Sequence, residues 1–319
     1  MHEITTTLVP IDKQILRRIN KIFYKIFDHE ELFFDKTKIE LVHLIRYKKL
    51  WTNCTILNII KNGDFDCLKY FHENTSSWDE QTTLYAAENG RLNFLKYVHE
   101  NGCPWNENTT FFAAENGHLD CLQYAYENGC SLHKNISAYI AIFGHLNCLK
   151  YVHENGCPWD EDTTKCAAEN GHFDCLKYAH ENGCPWDETE TTRQAAENGH
   201  LECLKYAHEN GCPWDEDTTT YAAENGHLEC LKYAHKNGCP WDKETTVGAA
   251  YYGHLECLKY AHENGCSWDE DTTAYAAENG HLDCLKYAHE NGCPWHIEIT
   301  SYAYDNGCPW DGQMLDMNI

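Results

Sequence analysis

The sequence lacks a long apolar run. Although 42% of its 319 residues are hydrophobic, no stretch approaches the roughly 18 apolar residues of a membrane-spanning helix. The first residues, Met-His-Glu-Ile-Thr-Thr-Thr, also lack the basic flank and apolar core of a signal peptide. We therefore expect neither a membrane span nor export, and we expect an intracellular, reducing compartment, the cytoplasm.

Basic residues are scarce in this sequence. There are 25 Lys and Arg residues against 50 Asp and Glu residues, which leaves a formal net charge of −25. Binding to nucleic acid or to an anionic membrane depends on basic side chains that displace counterions from phosphate groups. An acidic chain of this kind is expected to repel both, so we expect a protein partner and no nucleic-acid or membrane partner.

The sequence repeats itself with a period of about 27 residues, and self-similarity at such a period is typical of a stacked array. The spacing of its recurring glycines is constant, except that the loop at 187–192 carries an extra residue; the glycines are Gly63, Gly90, Gly117, Gly144, Gly171, Gly199, Gly226, Gly253 and Gly280. In such an array each unit buries its apolar face against its neighbours. The period predicts a monomeric solenoid of about nine repeats at residues 37–310, followed by a tail at 311–319.

Each repeat is predicted to form a helix, a turn and a second helix, as in residues 269–295. Acidic and Thr residues open the first helix, where their oxygens can accept hydrogen bonds from free backbone N–H groups. Gly280 supplies the left-handed turn between the helices, and Gly292 ends the second one. Pro294 then stops further helix, and Trp295 offers a large apolar surface to the next unit.

Residues 1–36 are predicted to form a short helical N-terminal cap. In residues 11–27, Ile and Phe side chains recur at three- and four-residue steps, with basic residues on the other faces, which indicates an amphipathic helix. A solenoid needs such a cap at its open end. A basic amphipathic helix can equally recruit a second partner, such as ubiquitin-ligase machinery, which would make the protein an adaptor. Both interpretations stay open.

The repeat unit resembles the ankyrin repeat. Its Ala-Ala, Gly-His and second Gly coincide in spacing with the ankyrin motif, whereas Thr-Thr replaces Thr-Pro and Tyr usually replaces the motif His. An ankyrin repeat has about 33 residues, and the missing ones fall at the β-hairpin loop, so the hairpins are trimmed. The amino-acid sequence of the unit is similar to that of the shortened ankyrin-like repeats of giant DNA viruses of amoebae and of protists and algae. The resemblance implies an all-α, helix-turn-helix solenoid.

The cysteines and histidines raise two chemical alternatives. Equivalent cysteines lie one repeat apart, where stacked helices are about 8–10 Å from each other, and a disulfide needs Cα atoms within about 7 Å. We therefore expect free thiols. A His-x-x-Cys pair, as in His281 and Cys284, recurs in seven repeats and could hold zinc. Because free Cys also packs as a small hydrophobe, the alternatives are a metal-loaded structural array and ordinary packing; we expect the latter, with no metal.

No catalytic residue or cofactor is expected, because an active site needs one distinct constellation and these residues recur in every unit. Acidic runs such as Asp269-Glu-Asp271 lack the loop of a calcium site and are expected to cap helices.

The two positions after Thr-Thr vary between repeats, and so do the apolar replacements of Glu-Asn. Stacking would align such positions along one surface. Their side chains either vary without functional consequence or contact a partner protein and determine specificity. The resemblance implies a non-catalytic scaffold that binds a protein along its concave face. The candidate contact residues are Leu84, Tyr85, Phe111, Phe112, Tyr139, Ile142, Phe143, Lys165, Arg193, Gln194, Tyr221, Val247, Tyr251, Tyr252 and Tyr275.

Overall fold

The computed structural model describes residues 53–74, 78–160 and 162–295. Within these residues there are 18 α-helices and no β-strand, as predicted for repeats with trimmed hairpins. The helices form nine pairs, each with a first helix that carries the Thr-Thr position and a second helix that follows the Gly-His turn. None of these described helices has the length and apolar content to cross a membrane.

The first helices have odd numbers and the second helices have even numbers. The first helices are α1 (Asn53–Asn62), α3 (Glu80–Glu88), α5 (Glu107–Glu115), α7 (Ile136–Phe143), α9 (Thr163–Glu169), α11 (Glu190–Glu197), α13 (Glu216–Glu224), α15 (Lys243–Tyr251) and α17 (Glu270–Glu278). The second helices are α2 (Phe65–Asn74), α4 (Leu92–Glu100), α6 (Leu119–Glu127), α8 (Leu146–Glu154), α10 (Phe173–Glu181), α12 (Leu201–Glu209), α14 (Leu228–Lys236), α16 (Leu255–Glu263) and α18 (Leu282–Glu290).

The chain divides into two compact units. The first is Met1–Ile136 with Asn147–Cys157, and the second is Ser137–Leu146 with Pro158–Ile319. In the second unit, first helices of adjacent repeats contact each other more extensively than second helices do. Their facing Ala-Ala positions are fully buried and small, which allows two helix backbones to approach closely.

Backbone caps define both ends of each helix. The carboxylate of Asp242 accepts a hydrogen bond of 2.9 Å from the backbone N–H of Glu244 at the start of α15. At the end of α16, Gly265 takes the left-handed conformation with φ of 89°, and the N–H of Cys266 donates to the carbonyl of Ala261 at 2.9 Å. These contacts satisfy backbone groups that a helix end leaves free. The side-chain cap predicted for the first helices forms at Asn106, Asp242 and Asp269, whereas Asp79 and Asp215 make no such hydrogen bond.

The core of each repeat is a layer of small and aliphatic side chains. In the repeat of α13 and α14, Ala222, Ala223 and Leu231 have no exposed surface, and Cys230 is 2% exposed. Burying one such Leu contributes about 1.5–3 kcal/mol. The same positions are buried in the other regular repeats, so the layer continues through each unit.

The extra residue at 187–192 is absorbed before α11 begins. Glu188 takes a positive φ of 31°, an unusual conformation for a residue other than glycine. The helix that follows keeps its register, since Thr191 and Thr192 are buried like the Thr pairs of the other repeats.

The predicted N-terminal cap at 1–36, its alternative role as an adaptor and the predicted tail at 311–319 lie outside the described residues.

Candidate partner-binding surface

Most constant polar and aromatic side chains of the repeat join neighbouring repeats. The ring of His235 stacks on Trp241, with centroids 3.8 Å apart, and its Nδ1 lies 2.9 Å from the hydroxyl of Tyr260 in the next repeat. Burial, and to a lesser degree Lys236, lowers the pKa of His235. The stacking recurs in the pairs His99–Trp105, His180–Trp186, His208–Trp214 and His262–Trp268. The Trp241 ring also lies 6.3 Å from the Tyr260 ring, so Trp joins its repeat to the next one, as predicted.

The His of the Gly-His turn contacts the preceding repeat. The ring of His227 lies against Gly199, where an added Cβ atom would be 2.5 Å from Nδ1. The Nε2 atom of His118 lies 3.1 Å from the carbonyl oxygen of Glu88, one repeat earlier. This His therefore closes over the turn of the preceding repeat.

The second Thr of Thr-Thr connects the start of its repeat to the end. In Thr219, for example, the hydroxyl oxygen lies 2.9 Å from the carbonyl oxygen of Glu216 and 3.0 Å from that of Pro240. Both carbonyl oxygens can accept a hydrogen bond from this hydroxyl. Thr219 is fully buried. A buried hydroxyl needs such an acceptor, which explains why a polar residue lies inside the stack.

In the described residues the recurring cysteines are free thiols, all of them buried except Cys157, which is partly exposed. Burial, and to a lesser degree the neighbouring Glu229, raises the pKa of Cys230 to about 12. Because the thiolate is the form that attacks carbon and binds metals, this thiol is chemically inert at neutral pH. Across residues 53–74, 78–160 and 162–295, no group of three or more His, Cys, Asp or Glu is placed to hold a metal ion. The described part of the chain therefore favours packing as the role of His-x-x-Cys.

The candidate contact residues all lie on first helices or at their C-terminal ends. In the first unit, the structure places Leu84, Tyr85, Phe111 and Phe112 at partly exposed positions. In the second unit, Ile142, Lys165, Arg193, Gln194 and Tyr221 are partly exposed, and Tyr139, Phe143, Tyr251, Tyr252 and Tyr275 are exposed. Val247 is 8% exposed and presents little area to a partner.

Both basic candidates are already paired within the chain. The Nζ atom of Lys165 lies 2.6 Å from Asp162 and 3.7 Å from Asp187. The Arg193 guanidinium forms an ion pair with Glu190 and lies over the ring of Tyr221, 5.3 Å from its centroid. These two side chains thus neutralise local acidic groups.

Three tyrosines of the second unit form an exposed aromatic cluster. The Tyr251 ring lies 4.7 Å from the Tyr252 ring and 5.4 Å from the Tyr275 ring in the next repeat, each pair at a steep angle. Their exposed fractions are 39%, 53% and 36%. We call these three residues the tyrosine cluster. Nearer the start of the unit, Phe143 stacks on His145 at 6.4 Å.

The acidic side chain of Glu224 lies about one helical turn from the tyrosine cluster. Glu224 packs its Cγ atom against Gly248, one helical turn before Tyr251, and a Cβ atom added at Gly248 would collide with it. Burial raises the pKa of the Glu224 carboxyl, and the charges of Glu197, Asp217 and Glu244 raise it further. Glu224 was not among the predicted contact residues, because it belongs to the constant Ala-Ala-Glu segment. The sequence feature that could have identified Glu224 is Gly248, because a glycine at this position leaves room for the Glu224 side chain.

Comparisons with known proteins agree with this architecture. A search of curated proteins finds no match. A family model described as ankyrin repeats (3 copies) matches residues 84–163, 164–246 and 192–266, which together cover more than half of the chain. Ankyrin repeats generally mediate protein–protein interactions and are typically non-catalytic scaffolds. The family match and the repeated helical pairs show that the chain belongs to the ankyrin-repeat family.

Proposed function

We propose that this protein is a non-catalytic scaffold that binds a partner protein on the face formed by its first helices. One observation carries the proposal. Every large hydrophobic side chain that is exposed in the described part of the chain lies on a first helix or at its C-terminal end, namely Tyr139, Phe143, Tyr251, Tyr252 and Tyr275.

Exposed aromatic residues of this kind support binding. A partner that covers them removes apolar surface from water, and aromatic side chains are enriched among the residues that dominate binding energy. Phe143 and Tyr252 are 46% and 53% exposed, so each offers a large area for such a contact.

The second helices present a different surface. In six of the nine described second helices a Lys lies three residues after an Asp or a Glu, as in Lys205 with Glu202 and Lys232 with Glu229, at 3.1 and 2.9 Å. Exposed pairs of this type contribute little and are well solvated. A surface that is nearly the same in every repeat offers little to distinguish one partner from another, whereas the first helices vary.

Site-specific photo-crosslinking tests this proposal. A photoreactive phenylalanine analogue would replace Tyr139 or Tyr252 on the first-helix face, and Lys205 or Lys232 on the second-helix face as matched controls. In cells that express the full chain, we expect a crosslinked protein from the first pair only, and excess unmodified chain should suppress it. Crosslinks from the second pair alone, or equally from both pairs, would contradict the proposal.

A further inference from the structure

The ion pair of Arg193 provides a template for a second, incomplete site. In the template, the Arg193 guanidinium lies between the carboxylate of Glu190 and the ring of Tyr221 in the next repeat. A cation over an aromatic face, with a carboxylate beside it, is stabilised by both groups. Tyr221 is only partly exposed in this arrangement.

Two repeats later, the same arrangement lacks its cation. The segments 190–197 and 244–251 align without a gap, so Glu244 corresponds to Glu190 and Val247 corresponds to Arg193. Tyr275 occupies the position of Tyr221 in the following repeat and is 36% exposed. The carboxylate and the aromatic ring of the template therefore recur in this repeat, but the apolar side chain of Val247 replaces Arg193.

The surroundings of this site favour a positive charge. Burial raises the pKa of Glu224, and the charges of Glu197, Asp217 and Glu244 raise it further. Lys243 is close to Glu244, but its Nζ atom is 3.9 Å from that carboxylate and 2.7 Å from Asp269. A cation placed beside Glu224 would relieve the repulsion among these carboxylates.

The aromatic groups favour a planar cation. The Tyr251 ring lies 5.4 Å from the Tyr275 ring at a steep angle, and both are exposed, so a flat group can stack on the open face of one ring beside the other. A guanidinium is planar, stacks on aromatic faces and binds carboxylates through two parallel hydrogen bonds. An ammonium group has none of this shape matching.

We infer that Tyr251, Tyr275, Glu224 and Glu244 form a docking site for an arginine side chain from a basic segment of the partner protein. This inference rests on the proposed function, since it assigns the chemistry of the partner on the same first-helix face. The net charge of −25 adds a long-range attraction for such a segment.

Binding of a short peptide to the full chain tests the docking site. The probe is a fluorescein-labelled peptide, Gly-Ser-Arg-Gly-Arg-Ser-Gly, and its matched versions carry Lys or Gln in place of both Arg residues. Fluorescence anisotropy at an ionic strength of about 0.15 M limits the contribution of distant charges. We expect the Arg peptide to bind tightest, then the Lys peptide, then the Gln peptide. Equal affinity of the Arg and Lys peptides would overturn the inference, because it would leave only the acidic field.

Filling the site from within the chain provides the decisive variant. Val247→Arg would place a guanidinium as Arg193 does, and it should weaken binding of the Arg peptide by about tenfold, through loss of the cation–π contact and the ion pair. Val247→Met adds similar length without charge and should leave the affinity unchanged. Because the fold accommodates Arg193 at the equivalent position, Val247→Arg should fold. Equal weakening by both variants, or by neither, would overturn the inference.

Emptying the template provides a gain of binding. Arg193→Met should uncover Tyr221 and Glu190 and so double the number of Arg peptides bound per chain in isothermal titration calorimetry. An unchanged number of bound peptides would overturn the inference. If the peptide binds only after Arg17→Gln and Arg18→Gln substitutions, the chain's own basic segment is the occupant, and a partner segment is ruled out.

These results separate the inference from the proposed function. Crosslinks on the first-helix face, combined with identical peptide binding by Val247→Arg and Val247→Met, would leave the scaffold standing and remove the arginine site. Crosslinks on the second-helix face, combined with the expected peptide results, would contradict the proposed function and support the arginine site.

Discussion

The imidazole ring of His227 lies directly against the backbone of Gly199 in the preceding repeat. A Cβ atom added to Gly199 would be 2.5 Å from Nδ1 of His227, and Gly199 has a φ of 74°. Two independent constraints therefore require glycine at this turn: the left-handed backbone and the ring of the neighbour. Gly211, at the end of the following second helix, has a φ of 85° and nothing within 4 Å of an added Cβ.

The two glycines should respond differently to alanine. Gly211→Ala is expected to lower the free energy of unfolding by about 1–2 kcal/mol, the penalty of a left-handed backbone. Gly199→Ala should lower it by about 1–3 kcal/mol more, because the methyl group displaces the His227 ring. Urea unfolding of the full chain measures both. Adding His227→Ala should reduce the excess in a double-mutant cycle; equal midpoints for the two glycine variants would contradict the packing described.

Tyr260→Phe should remove one contact between repeats. The hydroxyl of Tyr260 lies 2.9 Å from Nδ1 of His235, and its loss is expected to lower the free energy of unfolding by about 1 kcal/mol. Tyr252→Phe, at a ring that is 53% exposed, is the matched control and should have little effect. Thermal unfolding followed by circular dichroism compares the two. A larger effect at Tyr252 would mean that the hydrogen bond to His235 contributes nothing.

Thr219→Val and its neighbour Thr220→Val form a second matched pair. The Thr219 hydroxyl is buried and lies 3.0 Å from the carbonyl oxygen of Pro240, so replacing it with a methyl group should cost about 1 kcal/mol. Thr220 corresponds to Val247 in the next repeat, where Val is already part of the fold, and its hydroxyl makes a long contact of 3.4 Å with that of Thr245. We expect Thr220→Val to be nearly neutral in chemical denaturation, and comparable losses from the two variants would argue against the Thr219 contact.

Alkaline pH should destabilise the fold through its buried thiols. Burial is the main cause that raises the pKa of Cys239 and Cys266 to about 12 from an ordinary value of 9.0. Above pH 9 the unfolded chain loses these protons while the folded chain keeps them, so this stability is complete below pH 9 and is lost as the pH rises towards 12. Each thiol contributes a slope of about 1.4 kcal/mol per pH unit in that window.

Replacing both thiols tests the sign and size of this effect. The free energy of unfolding of the Cys239→Ala and Cys266→Ala double variant should fall less steeply with pH than that of the unmodified chain. Between about pH 9.5 and pH 11 the two slopes should differ by about 2.7 kcal/mol per pH unit. Urea unfolding under reducing conditions measures the slope. Thr219→Val, which lowers stability without removing a thiol, is the control and should keep the slope of the unmodified chain. A double variant with that same slope would show that these thiols do not ionise differently on unfolding.

Much of the local structure followed from the sequence alone. The regular spacing of the glycines predicted repeated helix pairs, and the structure shows nine of them in the described residues. Gly280 was expected to take a left-handed turn and has a φ of 72°. Asp269 was expected to cap its helix and accepts from the N–H of Asp271 at 3.1 Å. These features depend on residues within one helical turn of each other, so the local sequence decides them.

The tertiary structure alone decided which side chains meet across a repeat boundary. Arg193 was a candidate contact residue in the sequence, but it pairs with Glu190 of its own helix, and stacking places it over the ring of Tyr221 in the next repeat. Val247 varied like a contact residue and is buried.

The physical reason is the distance along the chain. A repeat pattern shows which face of a helix is buried, but the atoms opposite each side chain lie a whole repeat away and depend on how one repeat is rotated against the next. The sequence thus determined the unit and its helix ends, while stacking decided that Tyr275 meets Tyr251 and that Glu224 packs against Gly248.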